Sequence, residues 1–100
     1  MVQVRENLTQ LEGTIAGRSP HPSLPDFDVV DLHVEQASPV EDKPDLVHAA
    51  PGTVLPVVVR RELAERASEG ARVRLRAART SSGEVMAEPH PAPDDFSVVG

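Results

Sequence analysis

Two Pro-His-Pro triplets carry the residues best suited to chemistry: "SPHPSLPDFD" at 19–28 and "EPHPAPDDF" at 88–96. His21 and His90, with Asp26, Asp94 or Asp95, are the donor types of a metal or pH-sensing site. A metal ion needs three or four ligands in fixed geometry, and proline-flanked loops with neither cysteine nor a His-x-x-x-His spacing do not impose one. The simpler reading is that proline ends strands and histidine is an exposed neighbour. We therefore expect no metal and no cofactor, and keep His21 and His90 as rim candidates. A third reading is a partner that recognises the pre-ordered proline-rich rim.

A second constellation is Asp31, His33 and Glu35 in "VVDLHVEQA". Two-residue steps put them on one strand face, about 6.6 Å apart. Carboxylates beside an imidazole favour its charged form and could position it as a base, but no serine or threonine is tied to the trio by a motif. They read as the solvated side of a half-buried strand, so no enzyme is expected. The third feature is basic. Residues 60–79 hold seven of the nine arginines against three glutamates, whereas residues 1–59 carry three bases against nine acids and residues 80–100 four acids and no base. Arg72, Arg74 and Arg76 alternate along one strand, and Arg60, Arg61, Arg66 and Arg79 flank them as a candidate basic face.

The elements that must position these residues follow from composition and period. One hundred residues make one domain. With 15 Val, 11 Ala, two Phe and neither Trp nor Tyr, the core is built from small side chains, and valine favours strands. Residues 1–9 read as a loose lead-in. "LEGTIAGRS" reads as a bent strand whose glycines permit kinking, and "VVDLHVEQA" alternates as the second strand. Residues 38–52 form a long, acidic, proline-rich surface loop. "TVLPVVVR" is the third strand, with Pro56 at an edge or bulge. "RELAERASEG" reads as helical, with Gly70 ending it. "ARVRLRAA" and "EVMAEP" are joined by a "TSSG" hairpin as strands four and five, and residues 90–100 leave as an extended tail. The glycines of "GTIAG" mark a bend, since no strand-to-helix phosphate loop follows them.

Strand, strand, strand, short helix, strand, strand over about residues 10–89 resembles the OB-fold, a five-stranded Greek-key barrel with a helix between strands 3 and 4. The segment "EGARVRLRAARTSSGEVMAEP" is similar to the part of that barrel where the fourth strand follows a glycine turn and pairs with the fifth. An SH3-like barrel or a small sandwich is the alternative. The resemblance implies that strands 1 and 5 run in the same direction, which would put both Pro-His-Pro triplets at one rim. It also raises single-stranded nucleic acid as a ligand, with arginines on phosphates and aromatics on bases. Only Phe27 and Phe96 could stack, and Asp31 and Glu35 would repel phosphate. We therefore expect a small adaptor contacting a protein partner through charged faces and loops, with nucleic-acid binding through the fourth strand as the alternative. A chain without an apolar run of about 18 residues or a signal-like start is expected to be cytoplasmic and off the membrane, as a monomer or as a homodimer paired through the Pro56 edge.

Overall fold

Alternation of branched apolar and polar side chains sets six strands in the computed structural model, which describes residues 7–99. They are β1 (Thr9–Pro20), β2 (Phe27–Pro39), β3 (Val54–Arg60), β4 (Arg72–Arg79), β5 (Val85–Ala87) and β6 (Phe96–Val99), with one helical turn, α1 (Arg61–Ala64), between β3 and β4. Leu11 and Ile15, Val30, Leu32 and Val34, Val57 and Val59, Val73, Leu75 and Ala77, and Val85 and Ala87 all turn inward into one buried cluster. Their polar neighbours face out.

The sheet runs β1-β2-β3-β5-β4, and β4 closes it by pairing with β1. All contacts are antiparallel except β3 with β5, which is parallel. This is a closed five-stranded barrel whose topology agrees with the OB-like expectation, helix position included. Closure depends on β1, which pairs with β2 along its whole length and with β4 over Thr9–Thr14. Register shifts at Glu12/Gly13 and Ile15/Gly17 bend it between its two partners. At Gly13 the backbones approach so closely that a Cβ would lie 2.2 Å from the carbonyl oxygen of His33.

Both ends of the barrel are filled. At one end Leu63 and Ala64 of α1, with Ala67 and Ala71, enter the core. The helix is shorter than "RELAERASEG" suggests. Beyond Ala64 the bonds tighten, with Arg66 N–H donating to Leu63 O and Ala67 N–H to Ala64 O, because this short segment must turn three apolar residues onto one opening. Gly70, at φ +90°, then swings the chain into β4.

The acidic segment expected to lie over the surface is instead the second plug. β2 extends through Pro39, and Val47 in the loop that follows is buried in the core. Two side chains hold it there. Asp45 Oδ1 accepts from the Thr9 hydroxyl at 2.6 Å and from the N–H groups of Val47 and His48 at 3.0 and 3.1 Å. Arg79 donates to the carbonyls of Leu46, Val47 and Gly83 at 2.8, 3.1 and 2.7 Å. Burial alone would raise the Asp45 pKa; the hydrogen bonds from Thr9, His48 and Val47, with the charge of the His48 ring, outweigh it and hold the carboxyl below its usual 3.8.

The C-terminal segment also departs from expectation. Rather than leaving as a tail, Phe96–Val99 returns as β6 along β4, with Phe96 opposite Leu75 in the core. Since β5 pairs with residues 77–79 of the same β4 edge, β5 and β6 act as one edge strand interrupted by residues 88–95. The lead-in expected over residues 1–9 falls mostly outside the described residues, and Thr9 already belongs to β1.

Two outcomes test this description. Gly13→Ala should lower unfolding stability in urea by about 1–3 kcal/mol, the cost of overpacking, while Gly17→Ala, where the nearest atom is a side-chain oxygen of Asp31 at 3.5 Å, should be tolerated. Because the folded-state pKa of Asp45 is depressed, its contribution is present above pH 3.8 and is lost as pH falls through the folded value. Asp45→Asn should remove that component from an acid-unfolding curve.

Candidate binding surface

The seven arginines of the predicted basic face do not form one face. Arg79 is spent on backbone carbonyls in the second plug. Arg60 and Arg61 lie at the α1 end of the barrel. Arg60 Nη1 is 3.3 Å from Glu62, and Arg61 Nε donates to buried Asp28 at 3.1 Å, a carboxylate that Arg18 approaches to 3.6 Å. Arg66 lies at the same end, beside Glu65 and Glu69 in a surface cleft with Arg18, and its guanidinium makes no hydrogen bond or ion pair among the described residues.

Arg72, Arg74 and Arg76 do share the outer side of β4, as their alternation predicts, yet each has a different neighbour. Arg72 forms an ion pair with Glu35 at 3.0 Å and lies 3.9 Å from Glu12. Glu35 also accepts from the Thr14 hydroxyl at 3.1 Å. Asp31, His33 and Glu35 are exposed on one side of β2 as read from the sequence, but Glu35 is drawn to β4 and β1 instead of to His33. Arg76 Nε approaches Asp95 Oδ1 to 3.4 Å, a charge contact without hydrogen-bond geometry. Arg74 lies opposite Glu12 on β1 and Ser97 on β6, and its guanidinium forms no hydrogen bond or ion pair among the described residues.

The histidine triplets part company as well. His21 was expected at one rim with His90. In the structure β1 continues through Pro20 as an arm paired with β2, and the His21 ring reaches Glu84 just before β5, whereas His90 follows β5. His21 Nδ1 accepts the N–H groups of Ser23 and Leu24 at 3.0 and 3.1 Å. That leaves Nε2 to carry the proton donated to Glu84 Oε2 at 2.8 Å. With its side chain 6% exposed, His21 staples the β1–β2 turn to the β4–β5 hairpin. Among the described residues no group of three or more His, Asp or Glu is placed to hold a metal ion.

The second triplet belongs to the excursion between β5 and β6. Ala87 pairs with Ala77 and Phe96 with Leu75, so both ends of the excursion meet at Arg76. Glu88 N–H donates to the Arg76 carbonyl at 3.0 Å. Glu88 Oε1 is buried without a hydrogen-bond partner. Burial first, and then the Asp95 carboxylate, push the Glu88 pKa above 4.5, and Arg76 opposes them only in part. Sequence reasoning does not reach this three-residue neck, because its members are 12 and 19 positions from Arg76 and residues 90–100, which hold β6, read as an extended tail. The β-branched run in "FSVV" after two aspartates was the available signal.

Two apolar features complete the surface. Val58 points outward between Val57 and Val59 yet is only 2% exposed, flanked in register by Val29 and Met86. A groove of about 420 Å³ beside it is lined by Val29, Leu55, Pro56, Val85 and Glu84. Pro56 has a strand partner only in β2, because β5 pairing begins at Val57. Pro56 therefore lies at an edge, as expected. No helix among the described residues is long and apolar enough to cross a membrane.

The neck makes a prediction with a defined sign. A raised carboxyl pKa means that the ionised form is disfavoured in the fold, so the Glu88 contribution is greatest below pH 4.5 and is lost as pH rises through the folded value. Glu88→Gln should therefore raise the urea midpoint at pH 7 relative to the parent, and the gain should shrink toward pH 4. A lower midpoint at pH 7 would contradict the geometry. Comparison of the chain with protein-family models, curated proteins and solved structures finds no match.

Proposed function

We propose that the protein is a small, non-enzymatic binding module that contacts another protein through its charged faces and loops. One observation carries this reading: positive and negative side chains interleave on the outer face of β1, β2 and β4. Arg72 lies between Glu35 and Glu12, and Arg76 against Asp95. A polyanion gains affinity by replacing counterions along a row of free cations, and two of these three arginines already have carboxylates. Base stacking also lacks support, since Phe96 is buried in the core. Only Phe27, half-buried at the start of β2, remains as an aromatic. A face of alternating sign suits a protein surface of complementary pattern, where charge sets register and selects against wrong partners.

Fluorescence anisotropy of labelled single-stranded DNA and RNA, titrated at low and near-physiological salt, tests the reading. Weak binding at low salt and none at near-physiological salt is expected. Tight binding that falls steeply with salt and is lost in Arg74→Ala would replace the protein-partner reading with nucleic-acid recognition.

A further inference from the structure

We infer that the free edge of β6, with Arg74 beside it, is the docking edge for an extended acidic segment of a partner protein, an inference that rests on the protein-binding reading above. β6 ends the strand order and pairs only with β4; among the described residues no strand occupies its other edge. An exposed edge offers unpaired N–H and C=O groups to an incoming strand, and proteins usually blunt such edges with lysine, proline or a bulge. Phe96–Val99 contains neither lysine nor proline, and its register with β4 is continuous. On the side of the sheet that carries Val73, Val98 is 37% exposed and can cover an apolar residue of an added strand.

The chemistry of the occupant comes from the opposite side. Arg72 is engaged toward β1 and β2 by Glu12 and Glu35, and Arg76 toward the excursion neck by Asp95. Arg74 between them is exposed and has no ion pair among the described residues. Its neighbour toward the edge is Ser97, too short to cover it. A shallow depression of about 210 Å³ opens there, lined by Glu12, Arg72, Val73, Arg74 and Ser97. A residue added opposite Ser97 would lie two strand spacings, about 9.6 Å, from the Arg74 backbone, a gap that an arginine and a glutamate side chain span together. The segment that fits alternates, with carboxylates toward Arg74 and apolar residues toward Val98, and docks by strand addition. β6 of a second copy carries no carboxylate, so charge favours an acidic partner over self-pairing.

The test is an amide-resolved NMR titration of the isotopically labelled protein with a soluble peptide of alternating valine and glutamate, beside the same peptide with lysine for glutamate and a single-stranded oligonucleotide. Acidic-peptide shifts centred on Arg74, Ser97 and Val98, slowed exchange of β6 amides, and binding about tenfold weaker in Arg74→Ala, the loss of one charge-assisted hydrogen bond, support the inference. Partial rescue by Arg74→Lys would confirm that charge is what is read. No shifts at saturating peptide, equal binding by the lysine peptide, or equal binding by Arg74→Ala overturns the docking edge and leaves the protein-binding reading standing. An oligonucleotide that moves the same resonances and displaces the peptide overturns both. Concentration-dependent broadening of β6 without any peptide identifies a second copy as the occupant and overturns the acidic segment.

Discussion

Everything in this molecule depends on one strand serving two neighbours at once. β1 is paired on both edges between Thr9 and Thr14, and the barrel closes there or not at all. Two strands can flank it only because the chain bends at two register shifts and because Gly13 lets the His33 carbonyl come closer than any side chain would permit. Once β1 is bent, β2 and β4 sit on either side of it. The outward residues of those strands then share one surface, which brings Glu35 and Arg72, 37 positions apart in sequence, to 3.0 Å.

A barrel of valines and alanines is small, and its ends must be sealed with little material. α1 supplies Leu63 and Ala64 at one end, and an irregular loop supplies Val47 at the other. A loop cannot bury an apolar residue without also providing for its own backbone. Asp45 and Arg79 do so between them, one accepting N–H groups and the other donating to carbonyls. This explains why an arginine in a run of arginines is unavailable for binding: at Arg79 the hydrogen-bond demand of the loop takes precedence over the charge. The same logic governs His21, whose two ring nitrogens are both committed to holding a turn and a hairpin together.

The barrel, its strand order and the place of the helix were legible in the sequence because they rest on period and punctuation. The inward series Val30, Leu32, Val34 and Val73, Leu75, Ala77 can be read without any knowledge of neighbours. What was not legible depends on contacts across the fold. Asp45 looked like one more acid in a surface loop, because nothing local marks Val47 as core. Glu88 reads as the end of the fifth strand and Asp95 as a tail residue, and only the return of β6 places both at Arg76. The arginine alternation does mark a shared side of β4, but nothing local says which carboxylate meets which guanidinium, since those partners come from β1, β2 and the β5–β6 excursion.

The central claim is that, among the arginines of β4, Arg72, Arg76 and Arg79 are engaged within the fold and Arg74 alone has a side chain without a partner among the described residues. Hydrogen exchange at the arginine Nε positions, resolved by NMR, measures that division directly. Arg79, donating to Leu46 at 2.8 Å, should exchange slowest, Arg72 on Glu35 should be intermediate, and Arg74 should exchange as freely as a solvated arginine. Protection of Arg74 equal to that of Arg79, or exchange of Arg72 as fast as that of Arg74, would contradict the account.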